Sequence, residues 1–169
     1  KAMSGKKVIY GPNHPADGVT VCFVEENGLP IEFIEFDRPE EEIWPNDHKL
    51  INASNDHSRQ NNEVTYAYHH FTIKTEMMKH DSLKTSKLED CCITIKVSPF
   101  SIHKVAYSSA AQLPELVKRL PHVAFRVNNM DRAILNRNVI LAPYSPGEGI
   151  KIAYIEENGA PIKFLQIDN

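Results

Sequence analysis

Long apolar runs are missing from this chain of 169 residues, and so is any block of one charge. No stretch approaches the roughly 18–20 apolar residues that a membrane-spanning helix needs, and no charged-then-apolar leader opens it. Nineteen basic residues face 22 acidic ones, for a net charge of -3 and a pI of about 6.3. Neither a nucleic acid nor a membrane surface is therefore expected as a partner. Cysteine is scarce. Cys22, Cys91 and Cys92 make an odd set with two neighbours, which fits neither a disulfide framework nor a zinc-site spacing. A reducing, cytoplasmic setting is the expectation. Phosphate-binding loops are missing too: "SPGEG" at 145–149 has no following Lys-Ser/Thr and no G-x-G-x-x-G spacing. What the chain does have is 41% hydrophobic residues, enough to bury one domain or two small ones.

It also says one thing twice. Residues 8–37 align without a gap on residues 139–168, and 13 of the 30 positions are identical. "VEENGLPIEF" returns as "IEENGAPIKF", with Glu32 replaced by Lys163. Internal duplication on this scale is the strongest organisational signal in the sequence. Each copy reads as three strands. The first ("KKVIYGP", "RNVILAP") is a short apolar run stopped by proline, and the other two alternate in polarity. Asn27-Gly28 and Asn158-Gly159 stand between the alternating pairs and suit the positive φ angles of a tight hairpin turn.

The second copy has a lead-in that the first lacks. "HVAFRV" alternates as a strand and "NNMDRAIL" offers an Asn cap and a short helix, so 121–168 reads as β-α-β-β-β. The first copy, deprived of that lead-in by the start at Lys1, is expected to expose an unpaired sheet edge and to complete itself elsewhere. Between the copies, 38–65 is a polar linker with Trp44 as its one large apolar residue. Residues 66–108 then offer "TYAYHHFTIKT", "DCCITIKV" and "SIHKVAYS" as strands of a divergent unit, joined to the next by the connector "SAAQLPELVKRL".

Tandem β-α-β-β-β units ending in a "strand–acidic–N-G–PIEFI" hairpin resemble the vicinal oxygen chelate superfamily. Its members include glyoxalase I, bleomycin-resistance proteins and extradiol dioxygenases, and the stretch 120–166 is particularly similar to uncharacterised bacterial glyoxalase-like proteins. The resemblance implies an α+β fold in which repeated units build a cupped, mixed or antiparallel sheet with helices outside. Residues 66–169 would form one such domain from two units, 66–108 and 121–169, and 1–37 would be an incomplete repeat. Metal-binding members carry their ligands on the first and last strands of each unit. Those positions fall here on His70, His122 and His103, while Lys163 stands where a metal-binding Glu is usual.

Two functions follow from the resemblance. One is a metal-dependent enzyme of lyase, isomerase or dioxygenase type, using zinc, nickel, manganese or iron on His70, His103 and His122 to polarise a small carbonyl or diol substrate. The other is a metal-free protein that binds or sequesters a small molecule, as the bleomycin-resistance members do. Lys163 counts against the metal, because a protonated ammonium has no lone pair to donate. As the candidate catalytic residue it would have to take over the proton transfer that Glu performs. With Arg126 and Lys74 it could instead hold a carboxylate or phosphate, with Tyr107 at the apolar wall. Strand periodicity puts His122, Ala124 and Arg126 on one face and His70, Thr72 and Lys74 on one face, and it assigns His69 to the side opposite His70. His14, His48, His57 and His80 read as solvated, and Cys91-Cys92 as buried hydrophobes. A homo-oligomer assembled by strand exchange through 1–37 is the expected partnership.

Overall fold

A computed structural model describes residues 5–43, 64–75, 83–84, 91–95 and 99–168, and divides the chain into two units, Lys1–Asn62 and Glu63–Asn169. Linker residues 44–63, with Trp44, His48 and His57, and most of the polar stretch holding His80 lie outside the described residues.

Unit 1 is a three-stranded meander, β1 (Lys7–Ala16), β2 (Val19–Glu26) and β3 (Leu29–Phe36), followed by the short helix α1 (Glu40–Ile43). Unit 2 is one mixed sheet built from β4 (Tyr66–Lys74), β5 (Leu83–Lys84), β6 (Cys91–Ile95), β7 (Ile102–Tyr107), β8 (His122–Val127), β9 (Asn138–Gly147), β10 (Ile150–Glu157) and β11 (Ala160–Ile167). Its spatial order is β5-β6-β7-β4-β8-β11-β10-β9, and six of its strands curl into a half-barrel. The helices α2 (Glu115–Arg119) and α3 (Met130–Ala133) are five and four residues long. The described residues are thus mostly sheet, with less helix than an α+β expectation allows.

The order of unit 2 has a centre. β4 and β8 pair antiparallel in the middle; β7 runs parallel to β4 on one side and β11 parallel to β8 on the other. Each half then continues outward through antiparallel strands, β6-β5 or β10-β9.

The repeated sequence folds into repeated geometry. Val19 pairs with Phe36 and Ile150 with Ile167; Glu26 pairs with Leu29 and Glu157 with Ala160; every intermediate partner is shifted by the same offset. Both Asn-Gly turns hold positive φ, with Asn27 at 54° and Asn158 at 52°. Even the clamps recur: Lys6 and Lys7 meet Glu26 and Glu25, as Arg137 and Asn138 meet Glu157 and Glu156. One expectation fails in both copies. β1 and β9 do not stop at proline but run on through Pro12 and Pro15, or Pro143 and Pro146, with three register shifts each. They are edge strands, where a missing N–H is tolerated and a bulge absorbs the extra residue.

Two apolar clusters cover the two faces of unit 2. Phe164, Ala153, Ile155 and Val127 pack with Met130 and Ala133 of α3. A four-residue helix has no stability of its own. α3 is held by Asn129, whose side chain caps Arg132 N at 3.0 Å, a contact worth about 1 kcal/mol, and by Gln166, which accepts from Met130 N. On the other face Tyr154, Ile152, Ala124 and Leu165 pack with Leu113 and Val117, so the connector before β8 folds down as α2 and covers part of the face that carries Ala124.

Candidate functional site: a histidine-lysine row in unit 2

Cross-strand register places Tyr154 beside Lys163, Lys163 beside Ala124, and Ala124 beside His70. These four share one face of β10, β11, β8 and β4, because paired residues on adjacent strands point the same way. One step along, Thr72 is flanked by His103 on β7 and His122 on β8. Ala124 is completely buried, and its methyl group is all that stands between the Lys163 and His70 positions. A small residue here is what lets two long polar side chains share the row.

The polar members are deeply placed. His70 is 6% exposed, His122 3%, Thr72 3% and Lys163 9%. Tyr154 organises one end: Lys163 Nζ lies 5.4 Å from its ring centre, and the His122 ring meets it edge-on at 5.4 Å. The negative face of a phenol ring stabilises a cation that has given up much of its water. At the other end the rings of His70 and His103 stack, with centroids 4.3 Å apart and planes 13° from parallel.

His69 joins them against the alternation. Tyr68 pairs with Phe125 and His70 with Ala124, so His69 is an extra residue in β4, a bulge. A bulge turns its two residues toward one side, whereas a regular strand alternates them. His69 Nδ1 and His70 Nδ1 are accordingly 2.6 Å apart, a hydrogen bond in which one ring must donate and the other accept. The only trace of this in the sequence is the doublet "HH" itself, which alternation misassigns.

The site disfavours protonated imidazole. Burial, then the neighbouring His103, Lys163, His69 and His122, push His70 down to about 2. His69 is lowered by burial, Lys163 and Arg126, and His103 by burial, His69 and Lys163. Burial and the nearby charge of Lys163, joined toward His69 by Arg126, thus hold His70, His69 and His103 toward the uncharged form.

The other candidate residues flank the row. Lys74 follows Thr72 on the same side of β4, and its charge is felt at Glu115 on α2. Tyr107 packs against the cluster of Tyr154, Leu113 and Val117 as part of the wall. Cys91 and Cys92 lie on β6, while Cys22 is buried on β2 of unit 1.

Metal ligation needs lone pairs that converge. An imidazole lone pair lies in the plane of its ring, and a metal sits about 2.0–2.1 Å from the nitrogen along it. Two rings in nearly parallel, stacked planes aim their lone pairs side by side, so His70 and His103 do not meet at one ion in this arrangement. Lys163 adds a cation where the resemblance would need a carboxylate. Among the described residues no group of three His, Cys, Asp or Glu side chains is placed to hold a metal ion.

No family model matches the chain, and neither a curated protein nor a solved structure matches it. Among the described residues no helix is long and apolar enough to cross a membrane.

Proposed function

We propose that unit 2 is a glyoxalase-like small-molecule-binding cup that works without a metal ion, in the manner of the bleomycin-resistance type. The observation that carries this reading is the row Tyr154, Lys163, Ala124, His70, in which a buried cation on an aromatic face adjoins stacked, uncharged imidazoles. Such a surface offers hydrogen-bond donors, acceptors and a positive charge in a sheltered setting, which suits an oxygen-rich ligand. The paired halves of the sheet, with first and last strands parallel in each, support the vicinal oxygen chelate resemblance for unit 2. A metal-dependent enzyme would require His103 to leave its stack and Lys163 to lose its proton or withdraw.

The test is elemental analysis of wild type and Lys163→Glu after loading with zinc, nickel, manganese and iron in turn, beside a neutral-fragment screen read by backbone amide shifts. Fragment shifts along β8 and β11 in metal-free wild type, with metal retained only by the variant, are expected. Stoichiometric metal in wild type would overturn the metal-free reading. An absence of fragment shifts in unit 2 would overturn the cup.

A further inference from the structure

Where β4 begins and β8 and β11 end, unit 2 has a cleft of about 510 Å³. Its polar lining is Thr65, Arg126, Asn128, Gln166 and Asp168. The orientation of both amides is fixed by their neighbours. Thr65 N donates to Asn128 Oδ1 at 3.0 Å, and Met130 N donates to Gln166 Oε1 at 2.6 Å. A backbone N–H can only donate, so the atom it meets is the amide oxygen, and the other polar atom of each side chain is a nitrogen that donates only. Arg126 adds a planar fork of five N–H donors and no acceptor. Gln166 turns toward α3, on the face opposite Arg126, so Arg126 supplies the charged donors of this lining.

We infer that the cleft is a carboxylate subsite, taking the acidic group of a small monocarboxylic acid with Arg126 as its charged anchor. A guanidinium matches a carboxylate through two parallel hydrogen bonds, a geometry a neutral carbonyl cannot complete. Asp168, exposed in the same cleft, repels a second negative charge and so selects a monoanion over a dianion. Arg126 lies two residues beyond Ala124 on the same side of β8, beside Ala67 and Leu165, so an acid anchored there can lay its body toward the Lys163–His70 row. The volume falls within the few hundred cubic ångströms usual for a small-ligand pocket. This inference rests on the reading of unit 2 as a ligand cup and names the class of ligand.

Benzoate, the uncharged benzamide and the dianion phthalate are suitable probes, titrated into the full chain at pH 7 by calorimetry with amide shifts recorded in parallel. Benzoate is expected to bind with saturable shifts at Arg126, Asn128 and Gln166, about tenfold more tightly than benzamide. Arg126→Gln should weaken benzoate about tenfold and benzamide by much less, with the unfolding midpoint unmoved because the side chain is exposed. Asp168→Asn should raise phthalate affinity toward that of benzoate. Equal binding of benzoate and benzamide, unchanged benzoate binding in Arg126→Gln, or no saturable shift in the cleft would each overturn the subsite. Benzoate binding that survives Arg126→Gln but is lost in Ala124→Leu overturns the subsite alone, and neutral fragments still binding along β8 and β11 then leave the cup standing.

Discussion

Protonating His70 means creating a cation at a site 6% exposed, among His69, His103 and His122 and within the field of Lys163. Its folded-state pKa of about 2 lies far below the ordinary value near 6.5. Between those limits the unfolded chain takes up a proton that the folded chain refuses, so acid favours unfolding. The contribution of His70 is intact above about pH 6.5 and is lost as pH falls below it, with a limiting slope of about 1.4 kcal/mol per pH unit. Urea midpoints of wild type are therefore expected to fall between pH 7 and pH 5, and those of His70→Gln to fall less; parallel curves would show that another group sets the acid response. Lys163 can be tested in the same terms. Its charge lowers His69 and His103, so Lys163→Met, which keeps the length and removes the charge, should move both upward toward the ordinary value. Imidazole ¹⁵N titrations read this directly, and unmoved His69 and His103 would mean that burial and the other neighbours set them without Lys163.

Strands and turns respond to sequence in a way that the duplicated meander makes measurable. Gly11 holds φ at 88°, and a Cβ built there would lie 2.7 Å from the carbonyl oxygen of Val21. The matching position of the second copy is Ala142, on a strand otherwise paired in the same register. Gly11→Ala should therefore destabilise unit 1 by about 2 kcal/mol or more, and Ala142→Gly should cost unit 2 only roughly 0.5–1 kcal/mol. Equal losses in denaturant melts would mean the two edge strands are not differently strained. Ala124 presents the opposite problem, a buried small residue between two larger ones. Ala124→Leu should cost about 1–3 kcal/mol by overpacking and should abolish ligand binding in the cup. Much at this scale was legible from residues alone: the Asn-Gly turns, the alternation of β10 and β11, and the Asn129 cap. Alternation also placed His122, Ala124 and Arg126 on one face correctly, because β8 is regular. It failed at His69, where a bulge is decided by pairing with a neighbouring strand and leaves no periodic mark. It failed again at α2, where "PELVKR" is too short to announce a helix and is ordered by burying Leu113 and Val117 on the sheet.

The two copies of the meander meet different fates in the whole chain. In unit 2, residues 162–165 of β11 are paired along β8, and Leu165 is 7% exposed. In unit 1 the matching stretch of β3, residues 31–34, has no strand on that side among the described residues, and Ile34 is 45% exposed. The same contrast explains Glu32 and Lys163. The acidic residue of the first copy stays exposed, while its counterpart is buried between Ala124 and Tyr154 because β8 and β10 flank it. Both apolar clusters of unit 2 are built wholly from residues 64–165, so residues 63–169 should fold without unit 1. A β3 edge left unpaired among the described residues is a template for another strand, and the expected occupant is a second copy of the chain. Light-scattering mass measured across a concentration series should then show a dimer for the full chain and a monomer for residues 63–169. Ile34→Lys separates edge pairing from a trivial effect of truncation. A charge on an outward-facing edge position costs the meander little but opposes an incoming strand, so the variant should remain folded and become monomeric. A full-length variant that keeps its dimer mass would place the association elsewhere and leave the first copy of the meander without an assembly role.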